Sequence, residues 1–369
     1  MWRPDRAQTW PLCVNLRLQT GRLGSSVTQV SPPPVSLDPS VPPVRRTPRL
    51  GESSAGANRR VRRREPSARG RLRGARLLRW KESTKTDFRV VVLSDTHLSA
   101  SHPFFFHNFD VVREATEALA PDVVVVTGDL AFNGPDAPED LDFAASQLER
   151  LGAPFVRVVP GNHDVGYSPA ATAEEQLMTS ARRQAYLERF GPDFWAFDHG
   201  GWRFVGVNPF LFESGLEAEA EQRAMTAEAL AHDGPIGVFT HVPFFLNRPD
   251  EDDAATTATV APGPRTDYLA LFRDADVRFV ASGHLHRDKR LIADGVAHIW
   301  APSTAFMFSG RDDLGGAPLV GFLELRFSGD RFSATTHEPL DLLSIDLRNW
   351  LKGDEDRYFR IAEQPFRRP

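Results

Sequence analysis

Cysteine is almost missing from this chain: among 369 residues only Cys13 carries a thiol. One thiol closes no disulfide within the chain and makes a thiolate metal site a poor expectation, so a metal bound here meets nitrogen and oxygen. Long apolar runs are lacking too. None approaches the roughly 18–20 residues that a membrane-spanning helix needs, which predicts a soluble, cytoplasmic protein with no membrane partner. Lysine is absent from the first 80 residues, where 17 arginines face four acids. That local balance of +13 stands against −18 in the remainder, giving a net charge of −5. What is present is globular in character: 41% hydrophobic and 25% charged residues, in a chain long enough for one large domain or two ordinary ones.

The basic stretch is also rich in Pro, Ser and Gly and has no sustained helical or strand period. Residues 1–85 are therefore expected to be a disordered Arg/Pro-rich extension. Three readings fit it: an arginine-rich arm for nucleic acid, a transit segment, and translated sequence upstream of the true start. A secretory signal does not fit, because the apolar core of one is missing. The fold argument starts at residue 86.

From there short apolar runs recur. FRVVVLSDTH (88–97), DVVVVTGD (122–129), FVRVVPGNHD (155–164), WRFVGVNPF (202–210), PIGVFTH (235–241) and VRFVASGH (277–284) read as strands, most of them ending in polar residues. VAHIWAPS (296–303), LVGFLELRF (319–327) and RFSATTHE (331–338) read as strands without such ends. Helical patterns lie between the early strands, over 111–119, 139–151, 174–190 and 216–231. Strands alternating with helices predict an α/β layered fold over 86–345, with 346–369 as a tail on or trailing from it. The cluster PFFFHNF (103–109) is expected to pack against the first helix or to wall a cleft. Residues 246–267 read as a long polar loop, a candidate substrate cap in which Arg248 and Arg265 are cations without a motif to select them.

In open α/β sheets ligands gather beyond the carboxyl ends of strands. The polar groups there are, in order, Asp95-x-His97, Gly128-Asp129, Gly161-Asn162-His163-Asp164, His241 and Gly283-His284-x-His286. This set of carboxylates, an amide and imidazoles selects Mn, Fe, Zn, Co or Ni over Ca and Mg. Residues two apart face one side of an extended segment, so Asp95 and His97 can share an ion, as can His284 and His286. His102, His107, His199, His232, His298 and His337 fall outside the series and read as surface or core residues.

The ordered series D-x-H, G-D, G-N-H-D, H, G-H-x-H resembles the calcineurin-like metallophosphoesterase superfamily, over about residues 88–290. That resemblance implies a four-layer α/β/β/α sandwich of two mixed sheets and a dinuclear metal centre with two divalent ions per chain. It implies Asp95, His97 and His286 on the first ion, Asn162, His241 and His284 on the second, and Asp129 bridging both. It also implies in-line attack on phosphorus by a bridging hydroxide. His163 would be the acid or phosphate donor outside the metals, and Asp164 a second-layer residue that orients the loop or a ligand histidine.

Within the superfamily, protein serine/threonine phosphatases carry G-D-x-x-D-R-G where this chain has GDLAFNG, so Phe132 and Asn133 replace the acid and the arginine. Purple acid phosphatases have an iron-binding tyrosine at the position of Phe132, and family nucleases a glycine at that of Ser99. SDTHL, GDL, GNHD and GHxH are most similar to the bacterial class III cyclic-nucleotide phosphodiesterase-like group. That group commonly has Asp at 132 and a second histidine where Val242 stands. The expected protein is a phosphoric ester hydrolase acting on a small phosphate ester or nucleotide, a phosphodiesterase before a phosphomonoesterase or nucleotidase. A nuclease recruited by the basic arm and a scaffold that has lost catalysis are the other readings.

Overall fold

The computed structural model describes residues 86–169, 177–251 and 257–351. The expected basic extension, the first residues of the expected helix at 174–190 and the chain after 351 lie outside them. Twelve strands among the described residues form two mixed sheets. In the first, β1 (Asp87–Leu93), β2 (Val123–Thr127) and β3 (Val156–Val159) run parallel, and β11 (Phe322–Ser328) and β12 (Arg331–His337) extend it antiparallel in the order β12-β11-β1-β2-β3. The second sheet has the order β10-β8-β9-β7-β6-β5-β4. It comprises β4 (Trp195–His199), β5 (Trp202–Gly206), β6 (Ile236–Phe239), β7 (Val277–Ser282), β8 (Arg287–Ala293), β9 (Val296–Trp300) and the short β10 (Ala317–Pro318). Its central strands β5, β6, β7 and β9 are parallel.

The unbroken valine runs are explained by which face each residue uses. Val90 and Val92 of β1, with Val123 and Val125 of β2, pack with Trp202, Phe204, Phe239 and Phe279 of the second sheet. The intervening Val91, Leu93, Val124 and Val126 pack instead with Phe109, Val112, Leu141 and Ala144. Those residues belong to α1 (Phe106–Leu119) and α2 (Pro138–Leu148). Strands covered on both faces need apolar residues at every position, so the period-2 alternation disappears. Sheet against sheet, with helices outside, gives the sandwich. The remaining helices are the one-turn α3 (Asn162–Val165), α4 (Ser180–Phe190), α5 (Glu217–Leu230), α6 (Pro262–Arg273) and a short α7 (Leu347–Leu351).

Two segments differ from their sequence reading. PFFFHNF does not lie against the first helix; from Phe106 it is the first turn of α1, and its Phe109 is fully buried. Aromatic residues are indifferent helix formers, and tertiary packing of Phe109 outweighs that preference. The supposed loop at 246–267 becomes helical at Pro262. Pro262 and Pro264 read as loop punctuation, yet proline is suited to the first helical turn, where its missing N–H costs nothing. Tyr268, Leu269 and Phe272 then bury one face of α6.

His298 of β9 ties the segment after His241 to the sheet, with its ring 4.5 Å from that of Phe245. Burial pushes this imidazole down to about 4, against a weaker upward pull from Asp294. The folded protein therefore holds it neutral while the unfolded chain protonates near pH 6.5. Its stabilisation is complete above that pH and is lost as pH falls toward 4, by at most about 3 kcal/mol. Urea unfolding at pH 7.5 and 4.5 is expected to show a smaller acid-induced loss in His298→Leu than in the wild type. Equal losses would remove His298 from the account.

Candidate metal centre

The polar groups of the sequence series stand just past β1, β2, β3, β6 and β7, and the fold brings them to one place. Ligand-capable atoms of Asp95, His97, Asp129 and His286 all lie within 4.8 Å of one another, and so do those of Asp129, His241 and His284. Asn162 joins the second group, its Oδ1 3.2 Å from His241 Nε2. All seven side chains are at most 3% exposed. At that burial neither carboxylate has water to solvate it, so each needs a partner in the protein or an ion.

The backbone at these positions is unusual. Asp95, His97, Asp129, His284 and His286 all have φ between 44° and 70°. For residues with a Cβ this left-handed conformation costs roughly 1–2 kcal/mol each. Interlocking turns hold it: Asp95 N–H donates to Gly128 O and His97 N–H to Asp129 O, both at 3.0 Å. His284 N–H donates to Asp95 Oδ2 at 3.1 Å. Gly161 is required for close approach, since a Cβ there would lie 2.1 Å from the Asp129 backbone nitrogen.

Hydrogen bonds to backbone carbonyls, which can only accept, decide which imidazole nitrogens carry a proton. His241 Nδ1–H donates to Thr127 O at 2.6 Å, His284 Nε2–H to Thr257 O at 2.6 Å, and His286 Nδ1–H to Phe306 O at 2.8 Å. In each neutral ring the other nitrogen is then a bare acceptor, and these acceptors face one another. His241 Nε2 lies 3.2 Å from His284 Nδ1 and 3.4 Å from Asp129 Oδ1. His286 Nε2 lies 3.2 Å from Asp95 Oδ1 and 3.4 Å from His97 Nε2, which is itself 3.6 Å from Asp129 Oδ2. Asp95 Oδ1 and Asp129 Oδ2 are buried without a hydrogen-bond donor. Acceptors repel, and a cation among them relieves the repulsion. Four ligands about 2.0–2.1 Å from a tetrahedral ion stand roughly 3.4 Å apart, so the spacings of these two groups, which share Asp129, fit metal coordination.

The local field points the same way. Burial alone would raise Asp95, but His286 and His241 bring it to about 2. Burial also opposes ionisation of Asp129, yet His241 and His163 hold it well below the usual carboxylate range. Burial would lower His241, whereas Asp129 and Asp95 draw it up to about 9, so without an ion its Nε2 takes a second proton that a bound cation would displace. Burial and His241 push His284 down to about 4, and burial and His163 hold His97 well below its ordinary value.

His163 belongs to neither group. It is half-buried, its ring 4.7 Å from that of His97, and its Nδ1–H donates to Phe132 O at 2.8 Å, leaving Nε2 as the nitrogen available for chemistry. Its backbone N–H donates to Asp129 Oδ1 at 2.8 Å. Asp164 points away and accepts three backbone N–H groups, from Gly161 at 2.7 Å, Ala131 at 2.9 Å and Leu130 at 3.2 Å. It thereby fastens the turn after β2 to the turn after β3. Burial and Asp129 raise its carboxyl to about 7, against the pull of those donors.

Sequence reasoning missed several groups. Tyr167 OH accepts from Asn162 Nδ2 at 2.9 Å, which turns the amide oxygen toward His241. The carbonyls of Thr127, Phe132, Thr257 and Phe306 have no sequence signature, because every residue has one. Among the described residues no arginine or lysine hydrogen-bonds or ion-pairs with a candidate ligand. Arg265 is buried and donates to Glu251 O, Arg287 donates to the carbonyls of Phe308, Gly315 and Gly316, and Lys289 to those of Leu246 and Leu314. Arg248 is exposed and pairs with Asp250.

Asp164→Ala would leave three backbone N–H groups without their acceptor. A loss of about 3–5 kcal/mol in unfolding free energy is expected, with a parallel loss of bound metal. A variant with wild-type melting temperature and metal content would refute the fastening role.

Comparison with known proteins gives a consistent family. The calcineurin-like phosphoesterase family matches residues 88–288, a span that contains every candidate ligand. The serine/threonine-protein phosphatase CPPED1 of Danio rerio is 30% identical over 208 residues, covering 50% of this chain and 62% of that protein. The human protein of the same name is covered over 54% of its length, so the chain spans little more than half of these relatives. The cAMP/cGMP dual specificity phosphodiesterase MT0825 of Mycobacterium tuberculosis is 29% identical over 255 residues, covering 62% of this chain and 71% of that protein. Among solved structures, GAP50, the anchor in the inner membrane complex of Plasmodium, shares the fold. Its TM-score is 0.50 at 14% identity, over 77% of this chain and 98% of that one. No helix among the described residues is long and apolar enough to cross a membrane. With the fold, the buried His/Asp cluster and a match over more than half the chain, this protein belongs to the calcineurin-like phosphoesterase family.

Proposed function

We propose that this chain hydrolyses phosphodiesters at a dinuclear centre, with Asp95, His97, Asp129 and His286 around one divalent ion and Asp129, Asn162, His241 and His284 around the other. The observation that carries the reading is the convergence of bare acceptor atoms, their protons assigned to the far nitrogens by backbone carbonyls. When bound, the ions supply Lewis acidity, neutralising charge on the phosphoryl oxygens and acidifying water.

The protein's own part is positional. Asp129 sets the spacing of the two sites because one rigid carboxylate serves both. His163 holds its Nδ1 proton on Phe132 O and presents Nε2, which in the protonated ring donates to the departing oxygen. Burial of every ligand excludes bulk water and strengthens each electrostatic contact. The diester preference follows the blocks SDTHL, GDL, GNHD and GHxH, which resemble the cyclic-nucleotide phosphodiesterase-like group. The mycobacterial relative, named for cyclic-nucleotide phosphodiesterase activity, supports the same choice.

A phosphomonoesterase is the second reading, favoured by the relatives named as serine/threonine-protein phosphatases. If those names describe the activity of this chain too, then Phe132 and Asn133 in place of the acid and arginine of G-D-x-x-D-R-G do not exclude it. Turnover of bis(p-nitrophenyl) phosphate, p-nitrophenyl phosphate, cyclic AMP and a phosphoserine peptide under one metal condition separates the two. Faster hydrolysis of the monoesters would overturn the diester assignment.

Elemental analysis is expected to give close to two Mn, Fe, Zn, Co or Ni ions per chain, and chelation to abolish turnover. Asp129→Asn is expected to lower both metal content and kcat, the latter by about 10³-fold or more. His163→Ala should keep its metals and lose about 10²–10⁴-fold in kcat. Chelator-insensitive hydrolysis by metal-free protein would overturn the metal reading, and loss of both metals in His163→Ala would overturn its role as the proton donor.

A further inference from the structure

The half of the centre holding His97 and His286 is packed with aromatic rings: Phe306 lies 4.3 Å from His286 and 4.9 Å from His97, and Phe308 lies 5.6 Å from His286. Next to His163 the aromatic character continues outward. Phe132, whose carbonyl holds the His163 proton, stacks on His102 at 5.6 Å with an interplanar angle of 18°. Phe104 stands edge-on to Phe132 at 6.2 Å and lies 5.7 Å from His102. Phe132 is buried, but His102, Phe104 and Phe308 are only half-buried. They form a rim of flat, partly uncovered rings on the side of the centre where His163 would protonate a departing group. Arg287, which donates to Phe308 O, is buried and also donates to the carbonyls of Gly315 and Gly316, so the rim offers a bound ester ring faces rather than an exposed charge.

We propose that this rim, with Phe104 and His102 at its edge, selects phosphate esters whose organic group on the His163 side is a planar ring, an aryl group or a nucleobase. The inference rests on the phosphoesterase reading of the centre. Ring stacking of this kind is non-directional within the plane and tolerates different rings. It discriminates against alkyl and sugar groups, which have no π-face to offer. A polyanionic organic group gains nothing here. Polyphosphates without a ring are therefore expected to bind no better than the simple ester.

The test measures binding, separately from turnover. Calorimetry on metal-loaded, full-length protein compares phenylphosphonate with methylphosphonate, neither of which can be hydrolysed. The wild type is expected to bind the phenyl ligand about tenfold more tightly, which is about 1.4 kcal/mol. Phe104→Ala should bring that ratio to within about twofold, and Phe104→Trp should retain it. Because both ligands are measured on one preparation, a partly unfolded variant does not alter the ratio, and His102→Ala provides a second variant with the same expectation. A wild-type ratio near one, or a ratio unchanged in both alanine variants, overturns the proposal. A second pair, the phosphonate analogues of AMP and of ribose 5-phosphate, identifies the ring. A preference for the AMP analogue points to a nucleobase, and equal affinities with the phenyl preference intact point to an aryl group. Turnover of a chromogenic diester by the same preparation tests the other reading. No turnover with the tenfold ratio intact would sink the hydrolase proposal and leave the rim standing.

Discussion

The centre is organised by a single shortage: too many acceptors and too few protons in a place without water. Asp129 presents Oδ1 to His241 and Oδ2 to His97, and with the His241 proton on Thr127 O the first of those contacts is, in the neutral ring, between two acceptors. A hydrophobic interior would normally forbid such an arrangement, since an isolated buried carboxylate costs several kcal/mol or protonates. Here the shortage is built in, and the carbonyls of Thr127, Thr257 and Phe306 maintain it by taking the only protons the imidazoles have to give. The affinity for a cation therefore originates in the outer hydrogen bonds as much as in the ligands. A substitution that lets one ring turn over would supply a proton to the interior and weaken the site without touching a ligand atom.

The same shortage accounts for the backbone. Five candidate ligands take left-handed conformations at about 1–2 kcal/mol each, a total comparable to a whole domain's net stability. Such a cost persists only where the surroundings over-determine the geometry. The sandwich provides that: β1, β2, β6 and β7 are largely buried, β3 buries Val158 and Val159 at its end, and the turns beyond these strands are laced by backbone hydrogen bonds and by Asp164. Residues two apart would share a face even in an extended segment; the left-handed residues after β1, β2 and β7 instead turn the chain sharply at Asp95, His97, Asp129, His284 and His286.

Which parts were legible in the sequence follows from this. The strands that carry the site announced themselves, because double-sided burial writes an unbroken apolar run. The candidate ligands were legible because imidazole, carboxylate and amide side chains at strand ends have few structural reasons to recur in order. Among the antiparallel strands, β11 and β12 were legible and β8 was not. β8 reads RDKRLIA, and its half-exposed, charged pattern resembles a surface loop. Helix α6 was hidden by Pro262 and Pro264, whose meaning depends on whether they open a helix or interrupt one. The orienting carbonyls left no trace, since the backbone is the same everywhere. Arg265 illustrates the limit: a cation near a candidate phosphate site by sequence, it is buried beneath Glu251 in the fold.

Phe132 joins the two levels of the proposed function in one residue. Its carbonyl oxygen holds the His163 proton, and that contact would survive any side chain that keeps the local backbone. Its ring supports His102 and Phe104, and that contact would not. An aspartate at this position, as in the phosphodiesterase-like group that the sequence resembles, could leave the orientation of His163 intact while removing the aromatic support beneath the rim. Catalytic geometry carried by main-chain atoms and selectivity carried by the side chain of the same residue can change independently. On this reading the block GDLAFNG keeps the family's chemistry in Gly128 and Asp129, and Phe132 gives the site a different choice of ester.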